Sequence, residues 1–163
     1  MEVTKLREVY QKNNILDKMF IDHYGNTKEI NDKNKMELLV ELGEFANETR
    51  CFKFWSIKKP DYEKMMFEYA DVVMMILYFF YLLDVSLDEE FPDPVDTTDV
   101  LELFTYLFKK IAIFRDDYNK ETIKDILINL LSLAQLLGIK DEEIIKFCLN
   151  KINKTMNIFS TNY

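Results

Sequence analysis

Apolar residues recur along this chain at roughly helical spacing, and the pattern divides it into six segments. Leu6, Val9, Tyr10, Leu16, Met19 and Phe20 predict a helix over residues 3–22. Gly25 and Asn26 break it. Met36, Leu39, Val40, Phe45 and Phe52 mark a second helix over residues 33–55. Pro60 opens a third, with Asp61 and Glu63 in the first turn, where acids complement the helix dipole; it runs to about Leu83. Residues 84–96 hold two prolines and six acids and read as a solvated loop. Thr97 or Thr98 would cap a fourth helix ending near Phe114. A fifth runs from about Lys120 to Leu137 and stops at Gly138. Asp141 caps a sixth, to about Met156, and Asn157–Tyr163 read as a frayed tail. The third segment is apolar nearly all round, as suits the inside of a bundle or a subunit interface.

Composition narrows the picture. The chain has 163 residues, enough for one domain with a real core, here residues 1–163. Three Gly and three Pro are too few turn residues for a sheet-rich fold, so long helices with few connections are expected. The net charge of -8 disfavours nucleic-acid backbone and anionic membranes as partners. It leaves room for a small phosphorylated substrate, because a divalent metal can bridge carboxylates to phosphates. Cys51 and Cys148 lack CxxC spacing and read as reduced thiols of a cytoplasmic protein. No signal peptide is expected, since residues 1–14 are mostly polar, and the longest apolar run, Val72–Leu83, is short for a bilayer.

The chemistry lies where charge interrupts these apolar helices. Glu68 and Asp71, spaced i, i+3, share one helix face, and Val72, Val73, Met74 and Met75 follow at once. Ionised carboxylates there cost several kcal/mol each unless paired or metal-bound. No Lys or Arg follows Lys64 in this helix. The preceding helix offers Glu41 and Glu44, again i, i+3, with Glu48 one turn further on. A connection around Ile57–Lys59 makes the two helices antiparallel neighbours, so four acids can converge. Such oxygen ligands suit Mg²⁺ or Mn²⁺. A single ExxE is usually a solvated face; two such pairs on adjacent apolar helices are not so easily explained. A di-iron bundle would need a Glu-x-x-His on each of two helices. The chain has one histidine, His23, with no matching Glu, and it reads as a surface residue.

The ExxE, a gap of about two dozen residues and the ExxD resemble the signature of the all-α NTP pyrophosphatases, which include the MazG type and the dimeric dUTPases. The stretch from Glu41 to Arg50, followed by Phe52-Lys53-Phe54-Trp55-Ser56, is similar to the dimeric dUTPase branch. The resemblance implies an all-α bundle of five to six helices with a four-helix metal-binding core, a homodimer, and Mg²⁺-dependent hydrolysis of dUTP to dUMP. It implies Glu41, Glu44, Glu68 and Asp71 as metal ligands, with Glu44 and Glu41 as catalytic acids and Glu44 nearest the water. For the nucleotide it implies Gln11 and Asn14 on the first helix, Trp55 as a wall of the base pocket, and Lys53, Lys151 and Asn153 toward the phosphates. Two positions depart from the pattern. Met74 stands where the family often has histidine, and Met156 where its C-terminal Lys-Asn-x-x-Asn-x-x-Arg ends in arginine. Alternatives are a pyrophosphatase for another nucleotide, such as dCTP or a damaged NTP, and an inactive helical interaction module.

Overall fold

A computed structural model describes residues 1–162. A 3-10 turn, Val3–Leu6, leads into α1 (Arg7–Tyr24), followed by α2 (Lys28–Thr49), α3 (Tyr62–Leu82), α4 (Val100–Phe114), α5 (Lys120–Leu136) and α6 (Asp141–Asn162). No strand occurs among the described residues. Tyr163, the last residue of the expected frayed tail, lies outside them.

Helix α3 is the axis. It packs against α1, α2, α5 and α6. Its buried residues, from Met65 to Phe80, occupy most of its circumference. The helix is long and apolar enough to cross a membrane, yet 61% of its apolar window is buried inside the bundle. Its apolarity is therefore largely consumed within the chain and leaves little for a subunit interface. Helices α4 and α5 form a hairpin that covers the other side of α2 and α3.

The helix starts follow from local chemistry. The side chains of Thr27, Asp61, Asp99 and Asn119 accept hydrogen bonds from backbone N–H groups of the first turns of α2, α3, α4 and α5. Asp99, rather than Thr97 or Thr98, caps α4; the Thr97 hydroxyl donates to Glu102 instead (2.6 Å). Gly138 ends the turn after α5 with φ 74°, a left-handed conformation that glycine adopts without steric cost.

Three further expectations change. The second helix runs over residues 28–49 and not 33–55. Thr27 supplies an earlier start. Arg50 supplies the stop, in the left-handed region at φ 58°. Its guanidinium donates to the carbonyl oxygen of Lys58 (3.0 Å) and to Ser56 Oγ, fastening residues 50–58 into a compact turn. The 84–96 segment is anchored rather than solvated. Val85 and Leu87 are buried, Phe91 stacks on Phe80, and the Val95 N–H donates to Asn129 Oδ1 (2.9 Å). Helix α6 continues to Asn162 because its last turns find a partner: the Phe159 ring packs 4.9 Å from Phe20 and 5.5 Å from His23. His23 is exposed, as expected, though its ring is engaged.

Candidate metal and substrate site

Glu41 and Glu44 leave one face of α2, and Glu68 leaves the facing side of α3. One carboxylate oxygen from each lies within 4.8 Å of the others. Glu44 is exposed, and Glu41 and Glu68 are half-buried. Three oxygens around one Mg²⁺ ion at about 2.1 Å stand at most about 4.2 Å apart, so the cluster needs only a small contraction to enclose one. Hard oxygen donors on two rigid helices are a suitable set for Mg²⁺ or Mn²⁺.

Asp71 lies close by with a different partner. Its Oδ2 takes an ion pair from Lys151 Nζ on α6. The sequence shows no cation near these acids because the cation arrives from 80 positions downstream. Lys151 is only partly sufficient. Burial comes first in raising the Asp71 carboxyl above its ordinary range, and Lys151 offsets it in part. Glu41 is pushed up to about 7, by burial first and then by the charges of Asp71, Glu44, Glu37 and Glu68. Glu68 is raised by burial, Asp71 and Glu44, against the pull of Lys151. Glu37, one turn before Glu41 on α2, is raised by burial and by Asp71. Five acids thus outnumber the two ammonium groups that act on Asp71, those of Lys151 and, more weakly, Lys154, and a divalent cation would relieve the excess charge.

A cavity of about 440 Å³ opens beside the cluster. Glu37, Glu41 and Asp71 lie on its wall, α1 and α3 supply Leu16, Phe20, Met74 and Met75, and α6 supplies Thr155. The volume suits a small ligand, with an apolar body and acids at one end.

The remaining sequence-predicted residues lie elsewhere. Gln11 is exposed on α1 and does not line the cavity. Asn14 is half-buried with its Oδ1 unpartnered, also off the cavity wall. Trp55 is 66% exposed and meets Phe52 and Phe54 edge-on. The Lys53 ammonium sits 5.7 Å from the Phe52 ring. Asn153 is exposed. Glu48 accepts from Asn47 Nδ2 (3.3 Å) and stands outside the three-acid cluster. Met74, at the position where histidine was the family expectation, lines the cavity.

Sequence reading missed Glu37, Asn13 and Asp17. The signal for Glu37 was available, since it extends the stripe of Glu41, Glu44 and Glu48 by one turn. Asn13 and Asp17 share the inward face of α1 with Val9, Leu16 and Phe20, so helical spacing also marked them as polar residues on a core face.

A family model described as dUTPase matches residues 5–163. No individually curated protein matches the chain, and no solved structure does.

Proposed function

The chain belongs to the dUTPase family and is a nucleotide pyrophosphohydrolase, and from that premise we propose that it hydrolyses dUTP to dUMP and pyrophosphate with Mg²⁺, or Mn²⁺, held by Glu41, Glu44 and Glu68. The observation that carries this reading is the meeting of those three carboxylates beside a cavity of nucleoside size. Asp71 completes the acid wall between the cluster and the cavity.

A divalent ion held there supplies positive charge against the triphosphate. The chain's own residues do the rest. Glu44, the exposed member of the cluster, orients the attacking water and takes its proton, with Glu41 beside it. The water oxygen bonds to the α-phosphorus, the bond from that phosphorus to the bridging oxygen breaks, and pyrophosphate leaves. Lys151, fixed by Asp71 at the edge of the acid cluster, meets a phosphate oxygen as a point charge. Asn153, two residues along α6 and exposed, leaves the helix on a different face from Lys151 and takes no part in this reading. Lys53 and Trp55 reach the nucleotide only if the exposed segment after Arg50 folds inward, and Gln11 and Asn14 only if the base lies on the outer side of α1.

The chain acts as a homodimer on this reading. The support lies on α2 and the turn after it. Met36 and Val40, one turn apart, are 57% and 50% exposed, and Phe54 and Ile57 are 96% and 101% exposed. Large apolar side chains left in water at this density favour a second copy.

Pyrophosphate release measured over a panel of nucleoside triphosphates with Mg²⁺ tests the substrate. The reading predicts dUTP as the preferred substrate. Strong turnover of dCTP or a damaged nucleotide without dUTP would replace it with the alternative pyrophosphatase, and an absence of all turnover and of metal binding would leave the interaction module.

A further inference from the structure

A second cavity, of about 320 Å³, lies between the first half of α2 and the end of α4. Its charge runs against that of the molecule. The chain carries a net charge of -8, yet Lys33, Lys35 and Arg115 outnumber Glu29 and Asp32 on this wall. Both acids are already engaged. Glu29 Oε1 takes an ion pair from Lys33 Nζ (2.7 Å), and Asp32 takes one from Lys28 (2.8 Å) and one from Lys35 (3.3 Å). Those bonds hold both carboxyls below their ordinary range.

Two cations give the cavity its character. Lys35 is only 7% exposed. Its Nζ donates to Asp32 and to the carbonyl oxygen of Arg115 (3.3 Å), and it lies 4.5 Å from the centre of the Tyr118 ring. An ammonium held this way is a fixed positive charge. Arg115 is the opposite case: its side chain is exposed, and among the described residues no hydrogen bond or ion pair engages the guanidinium. A free guanidinium fork matches the oxygens of a phosphate in pairs. Met36 and Leu39 give the same cavity an apolar side. At this volume it takes an anionic head together with an organic body. Lys33 then provides a link, because it lines this cavity and the substrate cavity as well. Its i, i+4 pair with Glu29 is solvent-exposed, and such pairs hold a side chain only loosely.

We propose that this second cavity is an effector site for a small phosphomonoester, whose anionic head meets Arg115 and Lys33 beside the fixed charge of Lys35 and whose organic body lies on Met36 and Leu39. Bound there, the anion draws the Lys33 ammonium toward itself and away from the substrate cavity. That cavity then holds one cation fewer against its acids and takes an anionic nucleotide more weakly. By linkage, the nucleotide weakens the effector by the same factor. The binding itself goes beyond the pyrophosphatase reading; only its effect on turnover rests on that reading.

Phenyl phosphate, inorganic phosphate and phenol are the probes, followed by amide NMR of the metal-free full chain. Phenyl phosphate is expected to shift amides within residues 28–39 and 113–118, inorganic phosphate to do so several-fold more weakly, and neutral phenol to leave them unmoved. Arg115→Gln, a change at an exposed side chain, is expected to weaken both anions by about tenfold. The second readout is turnover of the preferred nucleotide with Mg²⁺. Phenyl phosphate is expected to raise KM several-fold in the wild type with kcat unchanged, and to leave KM unmoved in Arg115→Gln. Lys33→Ala starts at the raised KM and stays there. Shifts absent from those residues or undiminished in Arg115→Gln overturn the proposal. So does a KM that phenyl phosphate leaves unmoved in the wild type, or raises equally in Arg115→Gln, which would mean competition in the substrate cavity. A wild type that turns over no nucleotide would instead overturn the pyrophosphatase reading, while the amide shifts still decide whether the second cavity binds.

Discussion

Glu41, Glu44 and Glu68 were legible in the sequence because ionisable residues in apolar helices must be compensated. The i, i+3 spacing then decided which of the many acids shared a face. Asp71 was half legible. Its location was right, but its partner Lys151 is remote in sequence and no local pattern could supply it. Removing that partner tests the arrangement. Lys151→Met frees Asp71 from a competing cation beside the cluster, so Mn²⁺ affinity measured by calorimetry is expected to rise several-fold while turnover falls. A lower metal affinity would show that Lys151 instead holds the acids in place. Asp17 makes the second prediction at this scale. Its folded carboxyl titrates near 8, against an ordinary value of 3.8. A raised carboxyl contributes stability that is complete below the ordinary value and is lost as pH rises through about 8. Between these limits the unfolded chain is ionised while the folded one holds its proton. Wild-type stability in urea should therefore fall from pH 5 to pH 8 more steeply than that of Asp17→Asn, with a difference in slope of up to about 1.4 kcal/mol per pH unit. Equal slopes would mean that Asp17 is ionised in the fold.

At the scale of the element, sequence reading found every helix and misjudged several ends. Ends marked by a glycine were placed well, as at Gly138, whereas α3 starts at Tyr62 and not at Pro60, because Asp61 is its cap and not part of its first turn. The end of α2 was not, because it is set by Arg50, a residue that carries no turn signal. An arginine enters the left-handed region at a steric cost of about 1–2 kcal/mol, and its bonds to Ser56 and Lys58 offset that cost. Arg50→Ala keeps the strain and removes the bonds. It is expected to lower stability by about 1 kcal/mol and to speed amide exchange within residues 51–58, with exchange in the α3 core unchanged. Exchange unaltered in that segment would contradict the role given to the guanidinium. The far end of α6 was misread for a related reason: Phe159 is ordered by an aromatic cluster on α1 that spacing along α6 does not reveal.

Across the whole molecule, the apolarity of the third segment signalled a buried axis correctly. It could not show that the most exposed of the remaining apolar side chains, Phe54, Trp55 and Ile57, would fall in the turn after α2, because the faces left uncovered depend on how all six helices pack. Met36 and Val40 on α2 are exposed as well. Sedimentation at micromolar concentration is expected to give a dimer, and Val40→Glu to shift it toward monomer without loss of helix content. A monomeric wild type would remove the dimer from the account.

The central claim is that the carboxylate cluster serves pyrophosphate release from dUTP. Phosphorus NMR of the reaction, run with Mg²⁺ on wild type and on Glu68→Gln, tests it most directly. The account predicts dUMP and pyrophosphate from the wild type, and no turnover from a Glu68→Gln protein whose helix content is intact. Orthophosphate and dUDP as products, or turnover that survives Glu68→Gln, would contradict it.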